Sequence, residues 1–278
     1  GITFLQKLMT HFPTPVVMVS SLTRRSAQVT LDALAAGAVD YVAKPHSNIY
    51  DGKDEIRDEL IQKVINASYA RVQKMVAKTP TTINRLSIAE TTKKVIAIGS
   101  STGGTEALKV VLKGFPKNSP ALIIVQHMPD TFIGSFAARL DSLCDIDVKV
   151  AQTGDFLSMG TAYIAQGGKH MVLRRSGARY FIEIGTGDKV SGHCPSVDVL
   201  FNSVAKVAGA NAIGVILTGM GSDGAKGMAH MHQNGAKTIA QSEETCVVFG
   251  MPKEAIKLGG VDHVVSLDEI SQTVFTLL

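Results

Sequence analysis

Three polar residues stand where acyl-transfer chemistry would need them. Ser101 lies in Gly99-Ser100-Ser101-Thr102-Gly103, a G-x-S-x-G pattern in which a sharp strand-to-helix turn lifts a serine oxygen over backbone N–H groups. That makes it a candidate nucleophile, although an anion loop at a helix N-terminus or a plain tight turn fits the pattern equally well. No G-K-[ST] follows, so the P-loop lysine is missing. His127 closes Val125-Gln126-His127-Met128-Pro129. A histidine at a strand end is more often a structural hydrogen-bonding group than a base. Position raises its standing, because His127 ends the strand after the Ser101 unit, and sequential strands commonly neighbour at the ligand crevice of a parallel sheet.

The third residue is Asp223, in Leu217-Thr218-Gly219-Met220-Gly221-Ser222-Asp223-Gly224. This segment contains a literal G-x-G-x-x-G, and Glu243 and Glu244 follow Gly224 by about 20 residues, the spacing of a dinucleotide fingerprint. A carboxylate inside such a loop would repel a pyrophosphate, whereas it suits orienting a histidine. Ser101, His127 and Asp223 thus each end a different apolar strand. A working triad places Ser101 Oγ near hydrogen-bond distance of one His127 nitrogen and Asp223 on the other. The chain order differs from the Ser, Asp/Glu, His order of α/β-hydrolases, which disfavours that fold without removing triad logic.

Other candidates carry less. His230 and His232 fall on nearly opposite faces of a helix, and no calcium-type Asp loop occurs, so no metal is expected. His193-Cys194-Pro195-Ser196-Val197-Asp198 reads as an ordinary helix start with Ser196 as cap, a substrate-lining role being the lesser alternative. Cys144, Cys194 and Cys246 are too widely spaced for a disulfide framework or a C-x-x-C site and read as buried thiols.

Positioning three strand ends requires a parallel sheet. Val95–Ile98, Ala121–Val125 and Ala212–Leu217 are apolar almost throughout and alternate with helical segments, the texture of a doubly wound α/β domain over residues 93–278. Residues 145–190 add short strands, including 162–165 and 180–184, as a hairpin or an antiparallel edge. Upstream, the pattern is helix 2–10, a buried strand 16–19, a helix to Ala36, a strand 41–43, and a long amphipathic helix 54–78. A polar linker fills 79–92. Gly1 runs straight into the first helical pattern, as in a chain cut inside a fold. Composition is that of an ordinary globular protein, with 45% hydrophobic and 19% charged residues. The net charge of +4 is scattered and aromatics are only 5%, which argues against nucleic acid; no apolar run approaches a membrane span.

Taken together, 95–104, Val125-Gln-His-Met-Pro129, Pro195-Ser-Val-Asp-Val-Leu-Phe201, 217–224 and Gly250-Met-Pro252 closely resemble the protein-glutamate methylesterase family of bacterial chemotaxis. The resemblance covers residues 93–278. It implies a hydrolase that cleaves glutamyl methyl esters, and deamidates particular glutamines, on the cytoplasmic helices of methyl-accepting receptors. Ser101 would be nucleophile, His127 base, Asp223 its orienting partner, and the Met220 N–H an oxyanion donor, with no cofactor. The family joins this domain to a response-regulator receiver of flavodoxin-like α/β fold, phosphorylated by the chemotaxis histidine kinase of a two-component system. Residues 1–78 resemble the later part of a receiver ending in a long helix. Its switch hydroxyl maps to Ser20, its switch aromatic to Tyr41 and its phosphate-facing lysine to Lys44. The phosphoacceptor aspartate has no counterpart in this chain. With no bilayer-length apolar run and no charged-then-apolar leader pattern, a soluble, cytoplasmic protein without membrane insertion is expected. A dinucleotide-binding protein using Gly219–Gly224 and a non-catalytic chemotaxis adaptor are the alternatives.

Overall fold

The computed structural model describes residues 1–21, 24–44, 53–72 and 94–278, which fall in two compact units, 1–83 and 84–278. In the first unit α1 (Ile2–His11), β1 (Val17–Ser20), α2 (Arg24–Ala35), β2 (Asp40–Ala43) and α3 (Lys53–Ser68) follow in order, with β1 and β2 paired in parallel. The helix, strand, helix, strand succession agrees with the sequence pattern. Two expectations do not hold. β1 is not a buried strand, since Val19 is half exposed and its neighbours only partly covered. The long helix ends at Ser68, because the Tyr69 and Ala70 N–H groups bond back three residues to Asn66 and Ala67, tightening and ending the last turn, and residues 73–78 of its expected span lie outside the described residues. The 79–92 linker lies outside the described residues. Ser20, at the end of β1, pairs in register with Ala43; Tyr41 is buried in β2, and exposed Lys44 follows it with its N–H on the Ser20 carbonyl.

The second unit is built on a seven-stranded sheet. Its strands are β3 (Val95–Ser100), β4 (Ala121–Gln126), β5 (Asp147–Val150), β6 (Thr161–Ile164), β9 (Ala212–Ile216), β10 (Lys237–Gln241) and β11 (His263–Val265), in the order β11-β10-β9-β3-β4-β6-β5. Every pairing is parallel. The doubly wound α/β expectation is therefore met. The 145–190 region divides: β5 and β6 are parallel members of the main sheet, while β7 (His170–Ser176) and β8 (Arg179–Gly185) form a separate antiparallel ribbon.

Alternation along the central strands sends side chains to both faces. Val95, Ala97, Ile123 and Val125 join a buried cluster with α6 (Val197–Val207), α7 (Ala225–Gln233) and α8 (Met251–Lys257). Ile96, Ile98, Leu122 and Ile124 face the other side, covered by α4 (Gly104–Lys113) with α5 (Asp130–Asp141) and α9 (Ile270–Thr276), where Phe115 packs on Phe275 at 5.1 Å. Each such side chain contributes about 1.5–3 kcal/mol by leaving water, which explains why these strands are apolar throughout. From β3 the chain winds toward β4, and from β9 toward β10 on the opposite side, so the carboxyl ends of β3 and β9 flank a topological switch point. Among the described residues no helix is long and apolar enough to cross a membrane.

Candidate active site

Strand register brings the site together. Ser100 pairs with Gln126 and Gly99 with Ile216, so the next residues on β3 and β4 are Ser101 and His127. The ladder continues past the strands: Ser101 N–H donates to the Thr218 carbonyl at 3.0 Å, and His127 N–H to the Ser100 carbonyl at 3.1 Å. Buried Gln126 ties the two ends directly. Its amide nitrogen donates to the carbonyls of Ser101 (3.0 Å) and His127 (3.1 Å), while its Oε1 accepts from Ser100 Oγ at 2.7 Å.

Asp223 is almost fully buried and saturated with donors. Oδ1 accepts from Ser196 Oγ (2.7 Å) and Asp198 N–H (3.0 Å); Oδ2 accepts from Val197 N–H (2.8 Å) and His127 Nε2 (2.8 Å). Three of these groups form the start of α6, where free N–H groups and the helix dipole favour a negative charge. Burial alone would push the Asp223 carboxyl up. The bond and charge of His127, with the Asp198 N–H and the Ser196 hydroxyl, outweigh it and hold the pKa below the usual aspartate value. Since a carboxylate only accepts, His127 carries its proton on Nε2 and its lone pair on Nδ1.

The expected Ser101–His127 hydrogen bond is not made. His127 Nδ1 is buried with no partner among the described residues, which at about 1–3 kcal/mol is a costly state for a polar atom. Catalytic contacts of this kind commonly shorten once substrate is bound. A second ring lies on His127: His193 stacks on it with centroids 3.7 Å apart and planes 4° from parallel. His193 Nδ1 hydrogen-bonds the Ser191 carbonyl at 2.9 Å. Burial, reinforced by the neighbouring His127 and only partly opposed by Asp223 and Ser191, lowers its pKa to about 4, so this ring is neutral at neutral pH.

The G-x-G-x-x-G loop turns out to make room for protein. A Cβ at Gly219 would come within 2.8 Å of Ser101 Cβ, and one at Gly224, whose φ is +90°, within 2.5 Å of Val197 Cγ1. The N-terminus of α7 is already occupied, since Gly227 N–H donates to Asp198 Oδ1 at 2.7 Å. A pyrophosphate would have to displace that carboxylate and sit beside Asp223, so the dinucleotide alternative loses its site. Thr218 anchors the loop base, bonding Gln241, Thr102 and Val248. Beyond it, the N–H of Met220 meets no hydrogen-bond acceptor among the described residues, whereas those of Gly219, Gly250 and Met251 are all engaged.

His127, His193 and Asp223 bring ligand atoms within 4.8 Å of one another, as a metal site would. The stacked rings lie in parallel planes, so their in-plane lone pairs do not converge on a common ion, and both Asp223 oxygens are taken. His230 and His232 bond separately to Asn202 and Asp262. Cys246 is buried as expected, but Cys144 and Cys194 are only partly so, and all three are free thiols. Ser196 is the cap of α6, accepting from Val199 N–H, and is also a partner of Asp223. Gln126 and the His193 stack were missed in the sequence; a glutamine closing an otherwise apolar strand was the available signal for the first.

The family model for CheB methylesterase matches residues 96–274. A protein-glutamate methylesterase/protein-glutamine glutaminase of Sulfurimonas denitrificans is 57% identical, over 100% of this chain and 81% of the relative. One from Salmonella typhi is 55% identical, over 98% and 78% respectively. The crystal structure of the Thermotoga maritima CheB methylesterase catalytic domain is matched with a TM-score of 0.66 and 40% identity, covering 67% of this chain and 100% of that one. With the parallel sheet and its strand-end site already described, these likenesses show that the chain belongs to the CheB methylesterase family.

Proposed function

We propose that this protein hydrolyses glutamyl methyl esters on the cytoplasmic helices of methyl-accepting chemotaxis receptors, and deamidates particular glutamines there, by acyl transfer through Ser101. His127 Nδ1 takes the Ser101 hydroxyl proton as Oγ attacks the side-chain carbonyl. The developing oxyanion is met by the Met220 N–H, a kind of contact worth about 10²–10³ in rate. Collapse breaks the ester bond and His127 returns the proton to the departing methanol, or to ammonia from an amide, leaving a glutamyl ester on Ser101. Water then gives a proton to Nδ1 and attacks this ester. The second collapse frees the glutamate and restores the Ser101 hydroxyl.

The observation that carries this reading is the His127–Asp223 bond of 2.8 Å, which fixes the tautomer and leaves Nδ1 as an unpartnered base next to the Ser101 end of β3. Asp223 supplies orientation and a counter-charge for the imidazolium. An adaptor would have no use for such an arrangement. We read residues 1–78 as the later part of a response-regulator receiver, with Ser20, Tyr41 and Lys44 its switch residues and the chemotaxis histidine kinase the phosphodonor of the full-length protein. The test is methanol release from methylated receptor membranes: the wild-type chain releases it, and Ser101→Ala, with an unchanged fold by circular dichroism, does not.

A further inference from the structure

We infer that His170 is a positioning residue for this reaction, acting on Asp223 and His127 through the segment 188–196; the inference rests on the triad proposed above. His170 opens β7 and is 8% exposed. Its Nε2 lies 2.9 Å from the Asp188 carbonyl and its Nδ1 accepts from Ser196 N–H at 3.2 Å. A carbonyl only accepts and an amide N–H only donates, so the ring is neutral with its proton on Nε2. Both nitrogens are thereby committed to the two ends of one segment.

That segment supplies one of the four groups bonded to Asp223 and the ring stacked on His127. From Ser196 the hydroxyl reaches Asp223 Oδ1 at 2.7 Å, and Asp223 Oδ2 reaches His127 Nε2 at 2.8 Å. Between the two anchors lie Ser191, whose carbonyl fixes the His193 tautomer, and His193 itself, stacked on His127. Gly187 lets the segment lie against the ring, since a Cβ there would come within 3.2 Å of His170 Cδ2. The hydrogen bonds of His170 go to Asp188 and Ser196 and not to Ser101, His127 or Asp223. It sets the seat of the carboxylate and of the stacking ring together.

Two isosteres separate the two nitrogens. In His170→Asn the amide oxygen overlays Nδ1 and keeps the acceptor for Ser196; in His170→Gln the amide reaches the Nε2 position and abandons Ser196. With the full chain and methylated receptor membranes, His170→Gln should lose about 10- to 100-fold in kcat with KM nearly unchanged and a lowered unfolding midpoint that still leaves the chain folded at the assay temperature, while His170→Asn stays within about threefold of wild type. The proton shared by His127 Nε2 and Asp223 gives its own low-field NMR resonance, which should persist in His170→Asn and broaden or vanish in His170→Gln. Wild-type kcat together with an unchanged resonance in His170→Gln overturns the inference. So do equal losses in both variants, or a loss confined to KM. If the wild-type chain released no methanol, the catalytic reading would fall, and the resonance would still decide whether His170 seats the His127–Asp223 pair.

Discussion

The imidazole of His193 lies flat on that of His127, 3.7 Å away and within 4° of parallel. A neutral ring there fixes the plane of the His127 imidazole and covers one of its faces. Phenylalanine would keep the stack and alanine would remove it. His193→Phe should hold kcat within about threefold of wild type and His193→Ala should lose about 10-fold or more, measured as methanol release at neutral pH. Equal activity in all three proteins would mean that the stack is incidental.

The same ring makes stability depend on acid. Its pKa falls from 6.5 to about 4 on folding, so between those values the unfolded chain binds the proton and the folded chain does not. Stability therefore declines as pH drops through that window and this loss levels off below about 4. The shift corresponds to roughly 2–3 kcal/mol after discounting for partial exposure. Denaturant titrations at pH 7 and pH 4 should show a smaller acid loss in His193→Phe than in wild type.

Asp223→Asn should be costly twice over. An amide cannot enforce the Nε2–H tautomer, so kcat should fall by about 10³–10⁴. The start of α6 also loses its anion, at about 1–2 kcal/mol of stability. Because the aspartate pKa is lowered in the fold, its contribution is present above the ordinary value of 3.8 and is lost as pH falls through the lowered one. Thermal unfolding against pH should show that acid loss in wild type and not in the variant.

Gln126 donates to the carbonyls of Ser101 and His127 with one nitrogen. Gln126→Glu places acceptor oxygens against two carbonyls in a buried site and should lower kcat by about 100-fold and stability by about 2–5 kcal/mol. Gln126→Met removes the donors without adding charge, and its losses should be smaller on both counts. The reverse ranking, from parallel kinetic and unfolding measurements, would contradict the role given to the amide.

The sheet was legible because it rests on local pattern: Val/Ile runs make buried parallel strands, and the candidate site residues Ser101, His127 and Asp223 follow three of them. Parallel pairing then fixes which ends meet. What joins those ends was not legible. Ser196 reaches Asp223 from 27 residues away in sequence, and His170 reaches the Ser196 N–H from 26, contacts that no local periodicity encodes. His193 resembled a loop residue before a helix cap because stacking has no sequence spacing. The third helix was overextended for a related reason, since Val72 and Met75 continue its apolar spacing while the hydrogen bonds at Tyr69 and Ala70 have already ended it.

Ester cleavage through Ser101, with His127 and Asp223 as its base system, makes that serine indispensable at every substrate site. Mass spectrometry of a methylated receptor fragment, before and after incubation with wild type and with Ser101→Ala, tests it most directly. Wild type should remove the mass of one methylene from each substrate glutamyl ester and convert its target glutamines to glutamates, and Ser101→Ala should leave every site unchanged. Hydrolysis by Ser101→Ala at the wild-type rate, or an unaltered fragment after incubation with wild type, would rule out acyl transfer through Ser101.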